Sequence, residues 1–193
     1  KKNSKIFNGE CYKTFDLNNN DEIDIISTNN SMYGYFSVSG GFQIEKKWNS
    51  YSTHLRSKVG PNKGDKIVEN DILQLNKNVK PIIKKSIDYS NSKIEFIRVI
   101  KGTNFDYFSK ESQKSFFENQ YQVTNLTDRM GMRLDGYKLN NIKSENIKSE
   151  GLIKGVIQVP PDGNPIIMLS DHGTIGGYPK IGVIISADYD KIV

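Results

Sequence analysis

The sequence predicts a mainly β protein, built as a barrel with a few short helices. From residue 151 onward, short apolar runs at 156–159, 165–169 and 180–186 alternate with glycine and proline, which is the punctuation of antiparallel strands. Strand-like runs also precede any helix-like one in the first forty residues. Strands do not alternate with helical patterns of roughly 10–15 residues, which argues against a doubly wound nucleotide-binding sheet.

The elements follow in order. Asn8-Gly9 supplies the φ > 0 pair of a type I′ turn, predicting a hairpin between Lys5-Ile6-Phe7 and Glu10-Cys11-Tyr12. After the polar turn Asn18-Asn19-Asn20-Asp21, residues 22–27 have strand composition. Residues 32–38, with three aromatics, make another strand that Gly40-Gly41 ends. Residues 52–58 predict a short helix, broken by Gly60-Pro61-Asn62-Lys63-Gly64, and the chain is extended again at 71–75. The polar segment 76–91 reads as a connection, so residues 1–78 are expected to belong to one β subdomain and 79–193 to a second, a β-barrel. Residues 93–100 concentrate β-branched and aromatic side chains and predict a strand. Ser109 is placed to cap a helix, with Glu111 against the positive end of its dipole and Phe116-Phe117 on its buried side, ending near Asn119. Asp162-Gly163 marks the turn between the runs at 156–159 and 165–169.

At 193 residues and 36% hydrophobic content, the chain is long enough for one large domain or two small interlocked ones. Lys and Arg (27) outnumber Asp and Glu (22), giving a net charge of +5. The excess is scattered, however. Lys46-Lys47 and Lys84-Lys85 are isolated pairs with no aromatic-interleaved basic stripe, so no nucleic-acid partner is expected. The single Cys11 excludes an intrachain disulfide framework and fits a reducing compartment. His54 and His172 lack any zinc-ligand spacing, so no metal is expected. No run approaches the ~20 apolar residues of a spanning helix, and the polar opening has no apolar centre of a secretory signal. The expectation is a soluble, cytoplasmic protein with no membrane partner.

Three clusters can carry chemistry. Around Gly131, Asp128, Arg129 and Arg133 set one carboxylate and two guanidiniums close together. The arginines suit the paired N–H grip of a carboxylate, carbonate or phosphate oxygen, with Asp128 orienting one of them, and a structural Asp–Arg tie between a loop and a strand is the equal alternative. Gln158 offers both an amide donor and an acceptor, which suits a cyclic amide or ureido group. The prolines and Asp162-Gly163 beside it are turn devices first. In the third cluster, Thr174, Gly176, Gly177, Tyr178 and Lys180 form a glycine bend with a hydroxyl and a cation, favouring an anion pocket or, as the alternative, a plain barrel corner. Residues 60–66 fail as a phosphate loop, because Asp65 stands where G-x-x-x-x-G-K-[ST] needs its second glycine.

Taken in order, GYFSVSGGF, NSYSTHLRS, NDILQL, TDRMGMRLDG, GVIQVPPDGNPIIMLSD and GGYPKIGVIISAD resemble the allophanate hydrolase subunit 2 family. That family includes KipA-like proteins, the C subunit of bacterial 5-oxoprolinase and the second half of the urea carboxylase carboxyltransferase domain. The most specific parts lie at 128–134 and 155–180. The resemblance implies a cyclophilin-like β-barrel architecture, and a further segment with a T-x-Q-D-x-G-R type motif ahead of this sequence. It implies association with a KipI-like B subunit and an A subunit in the ATP-dependent opening of 5-oxoproline, a lactam, to glutamate. No cofactor is tightly bound on this reading, and ATP acts through the complex. Arg129, Arg133 and Lys180 would then stabilise developing anionic charge, with Asp128 orienting or deprotonating. Gly176 and Gly177 would offer main-chain donors, Gln158 would hold the amide, and Thr174 and Tyr178 would complete the substrate pocket. Two alternatives stand beside it: biotin-dependent carboxyl transfer to urea or a related amide, through carboxybiotin, and a non-catalytic protein that regulates by binding a KipI-like partner. The chain departs from the family pattern at Tyr51 (an arginine there), Pro161 (a glycine), and Gly173 and Ile175 (Gln-Thr-Thr), which leaves an altered substrate choice or a non-catalytic role open as alternatives.

Overall fold

The computed structural model describes residues 9–26, 33–77, 86–87 and 96–192. The chain divides into two units, Lys1–Lys93 and Ile94–Val193.

The second unit is the mainly β body that the sequence predicts. Its strands are β1 (Val99–Lys101), β2 (Gln122–Val123), β3 (Gly131–Asp135), β4 (Glu150–Gly151), β5 (Val156–Gln158), β6 (Ile166–Met168), β7 (Ile175–Gly176) and β8 (Lys180–Ile184), with one helix, α1 (Lys110–Glu118). Six strands form an antiparallel sheet in the order β1-β8-β5-β6-β3-β2, and β4 and β7 pair as a separate two-stranded ribbon.

Period-2 alternation sorts the side chains onto two faces. Met132, Ile157 and Ile167 stand in register across β3, β5 and β6 and fill the main core with Phe108, Phe116, Ile181 and Ile184. The alternate positions Val156 and Met168 pack with Leu152 into a smaller cluster on the opposite face. One irregularity sets the direction of Lys180. Ile157 pairs with Gly182 but Gln158 pairs with Lys180, so Ile181 is the extra residue of a β-bulge. The bulge keeps Ile181 in the main core, fully buried, and turns Lys180 to the face that carries Gln158.

The helix forms where its cap predicts. The Ser109 hydroxyl accepts from the Ser112 N–H at 3.1 Å, and Asn119 closes the far end by donating to the Ser115 carbonyl at 2.9 Å. The expected burial of both phenylalanines is corrected: Phe116 is buried and Phe117 is 52% exposed. Neighbouring helical positions point about 100° apart, so only one of the two can face the sheet.

The strand expected at 93–100 appears from Val99, and residues 93–95 lie outside the described residues. Just before β1, Arg98 anchors the final 3-10 turn, Ser186–Lys191. Its backbone N–H, Nε and Nη2 all donate to the fully buried Asp188 carboxylate, at 2.7, 3.0 and 2.7 Å. The turn at Asp162-Gly163 closes with the Gly163 N–H on the Pro160 carbonyl at 3.0 Å, and Gly163 adopts φ +78°, which explains a glycine there.

In the first unit the described residues form two short 3-10 turns, Leu55–Ser57 and Asn62–Gly64, and isolated bridges including Phe42 with Leu75. The helix expected at 52–58 is thus a single turn, with His54 Nδ1 accepting from the Ser57 N–H at 3.3 Å. No strand forms at 22–26 or 33–38, against expectation. Strand composition needs a ladder to pair with, and these stretches have none among the described residues. Residues 5–8 of the expected hairpin, and Ser27 and Met32, lie outside the described residues.

Candidate functional site

Backbone pairing builds a polar row across the sheet. Arg133 of β3 pairs with Ile166 of β6, Ile166 pairs with Gln158 of β5, and Gln158 pairs with Lys180 of β8. Directly paired residues share a face, so Arg133, Gln158 and Lys180 project from the side opposite the main core. Three strand spacings separate Arg133 from Lys180, about 14 Å.

The row differs in accessibility along its length. Gln158 and Lys180 are 4% and 3% exposed, whereas the Arg133 side chain faces solvent. The β4–β7 ribbon explains the burial. Glu150 of β4 pairs with Gly176 of β7, and a Cβ at Gly176 would lie 2.6 Å from Gln158 Nε2 and 2.9 Å from its Oε1. Glycine lets the ribbon lie this close, since a Cβ here would require the Gln158 amide to shift. Gln158 Nε2 then donates to the Tyr178 carbonyl at 3.1 Å, and Lys180 Nζ donates to Glu150 Oε2 at 2.8 Å.

The remaining predicted residues have other positions. Tyr178 is 38% exposed. Thr174 is exposed, and its carbonyl accepts from the Leu152 N–H at 2.9 Å; the Gly177 carbonyl accepts from the Ile147 N–H at 2.8 Å. Asp128 Oδ1 accepts from the N–H groups of Met130 and Gly131 at 2.9 and 3.0 Å, forming the turn that leads into β3. The cluster around Gly131 is therefore half turn and half strand. Arg129 forks onto Asp171 through Nε and Nη2 at 2.7 and 3.1 Å.

Charge pairing thus separates the three predicted cations. Arg129 is matched by Asp171 and Lys180 by Glu150, while Arg133 has no acidic partner among the described residues. Asp171 and Glu150 are the residues sequence reasoning missed. They lie 42 and 30 positions from their partners, and no spacing rule links carboxylates to cations at such range.

The loop at 60–66 is closed on itself. The N–H groups of Gly64, Asp65 and Lys66 donate to Pro61 O, Asn62 O and Asp65 Oδ1 at 2.9, 3.0 and 2.9 Å, and Lys58 Nζ donates to Asp65 Oδ2 at 2.6 Å. With its donors used internally and a carboxylate at its centre, this loop does not fit a nucleotide phosphate. No described helix is long and apolar enough to cross a membrane, and the described residues hold no cluster of three or more metal-ligating side chains.

The second unit thus presents an antiparallel sheet whose cation-bearing face lies under a two-stranded ribbon. The chain belongs to the carboxyltransferase domain family, subdomains A and B, whose family model matches residues 5–193. It is 35% identical over 158 residues to a Haemophilus influenzae protein named as the C subunit of 5-oxoprolinase, covering 81% of this chain and 50% of that protein. A protein of the same name from Escherichia coli is 32% identical over 161 residues, covering 81% and 51%. The chain therefore spans about half the length of these relatives. Among solved structures, the Kluyveromyces lactis urea amidolyase superimposes with a TM-score of 0.66 at 22% identity, over 81% of this chain and 11% of that one, which shows a shared fold.

Proposed function

We propose that this chain is part of the C subunit of an ATP-dependent 5-oxoprolinase, a lactam-opening hydrolase. The observation that carries the reading is the similarity to two proteins named as that subunit. The polar row supplies its chemistry. Opening the lactam breaks the ring C–N bond as a water oxygen bonds to the carbonyl carbon, and negative charge develops on the carbonyl oxygen. Arg133, exposed and without an acidic partner among the described residues, is the cation available to that oxygen. Its guanidinium presents paired N–H donors. Lys180 and Gln158 lie behind it under the ribbon, Gly177 offers a main-chain donor, and Thr174 and Tyr178 line its rim, while Gly176 seats the ribbon against the amide. Asp128 and Arg129 shape the approach through the turn and the Asp171 fork. The loop at 60–66 does not fit a phosphate, and on this reading ATP acts through the assembly, formed with a KipI-like B subunit and an A subunit in the cytoplasm.

The family name and the urea amidolyase fold favour a second reading: biotin-dependent carboxyl transfer to urea or a related amide. There Arg133 would hold the carboxylate of carboxybiotin, a group that supplies an activated carboxyl when bound, and its exposed guanidinium, without an acidic partner among the described residues, fits such an anion.

The test mixes the complete protein with its candidate partner subunits and measures ATP-dependent glutamate release from 5-oxoproline, with urea and biotin as controls. The expected result is glutamate release that Arg133→Ala reduces by about 100-fold without loss of assembly. Turnover of urea with biotin instead establishes the second reading, and unchanged turnover in Arg133→Ala removes that residue from the site.

A further inference from the structure

Four residues of the candidate site close a ring. Glu150 pairs with Gly176 across the ribbon, Gly176 lies against the Gln158 amide, Gln158 pairs with Lys180 across the bulge, and Lys180 returns to Glu150 through a 2.8 Å ion pair. The geometry points to Glu150 as a positioning residue that acts through Lys180, an inference that rests on the function proposed above. It holds the buried ammonium on the ligand-facing side of the sheet and fastens the ribbon over Gln158.

The physical reason is desolvation. The Lys180 side chain is 4% exposed while that of Glu150 is 45% exposed. An ammonium removed from water to that degree stays in place only with an opposite charge or several acceptors. Glu150 is the only acid that pairs with Lys180 among the described residues. Without its charge, the flexible four-carbon stem of Lys180 swings the ammonium out of its place toward water. The ribbon loses the same tie and keeps the contact of Gly176 with the amide, the Gln158 bond to the Tyr178 carbonyl and the packing of Leu152. Glu150 is half exposed at the edge of the ribbon, so it acts on the reaction by placing Lys180.

The test uses the complete assembly with Glu150→Gln, Glu150→Asp, Lys180→Met and the double variant Glu150→Gln/Lys180→Met. Glu150→Gln is expected to lower kcat by about 100-fold, the scale of a misplaced catalytic group, with KM unchanged. Glu150→Asp restores part of the loss, because it keeps the charge. In the Lys180→Met background, Glu150→Gln adds nothing, since there is no ammonium left to place. A second readout does not depend on turnover. The Lys180 ammonium, shielded from water, gives a slowly exchanging 15N–1H signal in the wild type that disappears in Glu150→Gln. Unchanged kcat in Glu150→Gln, losses that add in the double variant, or an ammonium signal that survives Glu150→Gln would each overturn the inference. A wild-type assembly that turns over neither 5-oxoproline nor urea counts against the proposed function instead, and the ammonium signal then decides the role of Glu150 by itself.

Discussion

Gly176 and Gly151 face each other's strands in the same two-stranded ribbon, yet replacing each with alanine has opposite expected consequences. At Gly176 the new Cβ would stand 2.6 Å from Gln158 Nε2 and 2.8 Å from Leu152 Cδ1. An ordinary contact begins near 3.4 Å, so the amide must retreat by roughly 0.8 Å if the ribbon holds its place. Its bond to the Tyr178 carbonyl is 3.1 Å long, and a retreat of that size directed away from the carbonyl takes it beyond hydrogen-bonding distance. Gln158 is 4% exposed, so water does not replace the lost partner. Overpacking of about 1–3 kcal/mol and an unsatisfied buried amide of about 1–3 kcal/mol overlap, because moving one relieves the other, and the expected loss is about 2–4 kcal/mol. At Gly151 a Cβ would meet nothing within 4 Å, and the change should stay within about 0.5 kcal/mol. Urea denaturation of the two variants beside the wild type measures the difference directly. Equal stabilities of Gly176→Ala and Gly151→Ala would refute the close seating of the ribbon on Gln158, and with it the ring that joins Glu150 to Lys180.

The helix makes a matched test of its own. Phe116→Ala should cost about 3–5 kcal/mol, while Phe117→Ala, at a position 52% exposed, should cost well under half of that in the same denaturation assay. Ser109→Ala removes the acceptor for the Ser112 N–H and should destabilise the protein by about 1 kcal/mol. The hydrogen bonds from the Arg98 side chain, then its backbone N–H, and further out Lys191, hold the Asp188 carboxyl well below the usual carboxylate range. A depressed folded-state pKa stabilises above the unfolded value, near pH 3.9, and the stabilisation is lost as pH falls through that value toward the folded one. The wild type should therefore lose melting temperature steeply below about pH 4. Asp188→Asn should melt lower at neutral pH and show a shallower acid decline; parallel acid profiles would contradict this assignment.

The strands that carry the row were largely legible, because their signal is local. Residues 156–159, 165–169 and 180–186 read as strands from apolar runs between glycine and proline, and β5, β6 and β8 lie within them. The cap of α1 was equally legible, since a serine hydroxyl reaches only the backbone three residues on. The start of β3 at Gly131 was not, because the Asp128 turn runs directly into the strand with no break in composition between them. The ribbon was not either, since strands of two residues are too short to show alternation. In the first unit the aromatic run at 33–38 has strand composition without a strand, because propensity supplies no partner.

By itself, then, the sequence determined the β class, the cap, the Asp162-Gly163 turn and the inventory of cations at Arg129, Arg133 and Lys180, all of which depend on residues within a few positions of one another. Tertiary structure alone decided which cations are matched. A bulge at Ile181 turns Lys180 to the face of Gln158, and antiparallel pairing brings carboxylates from 30 and 42 positions away onto Lys180 and Arg129. Whether a charge is matched or available depends on separation in space, and that separation follows from strand order rather than from distance along the chain.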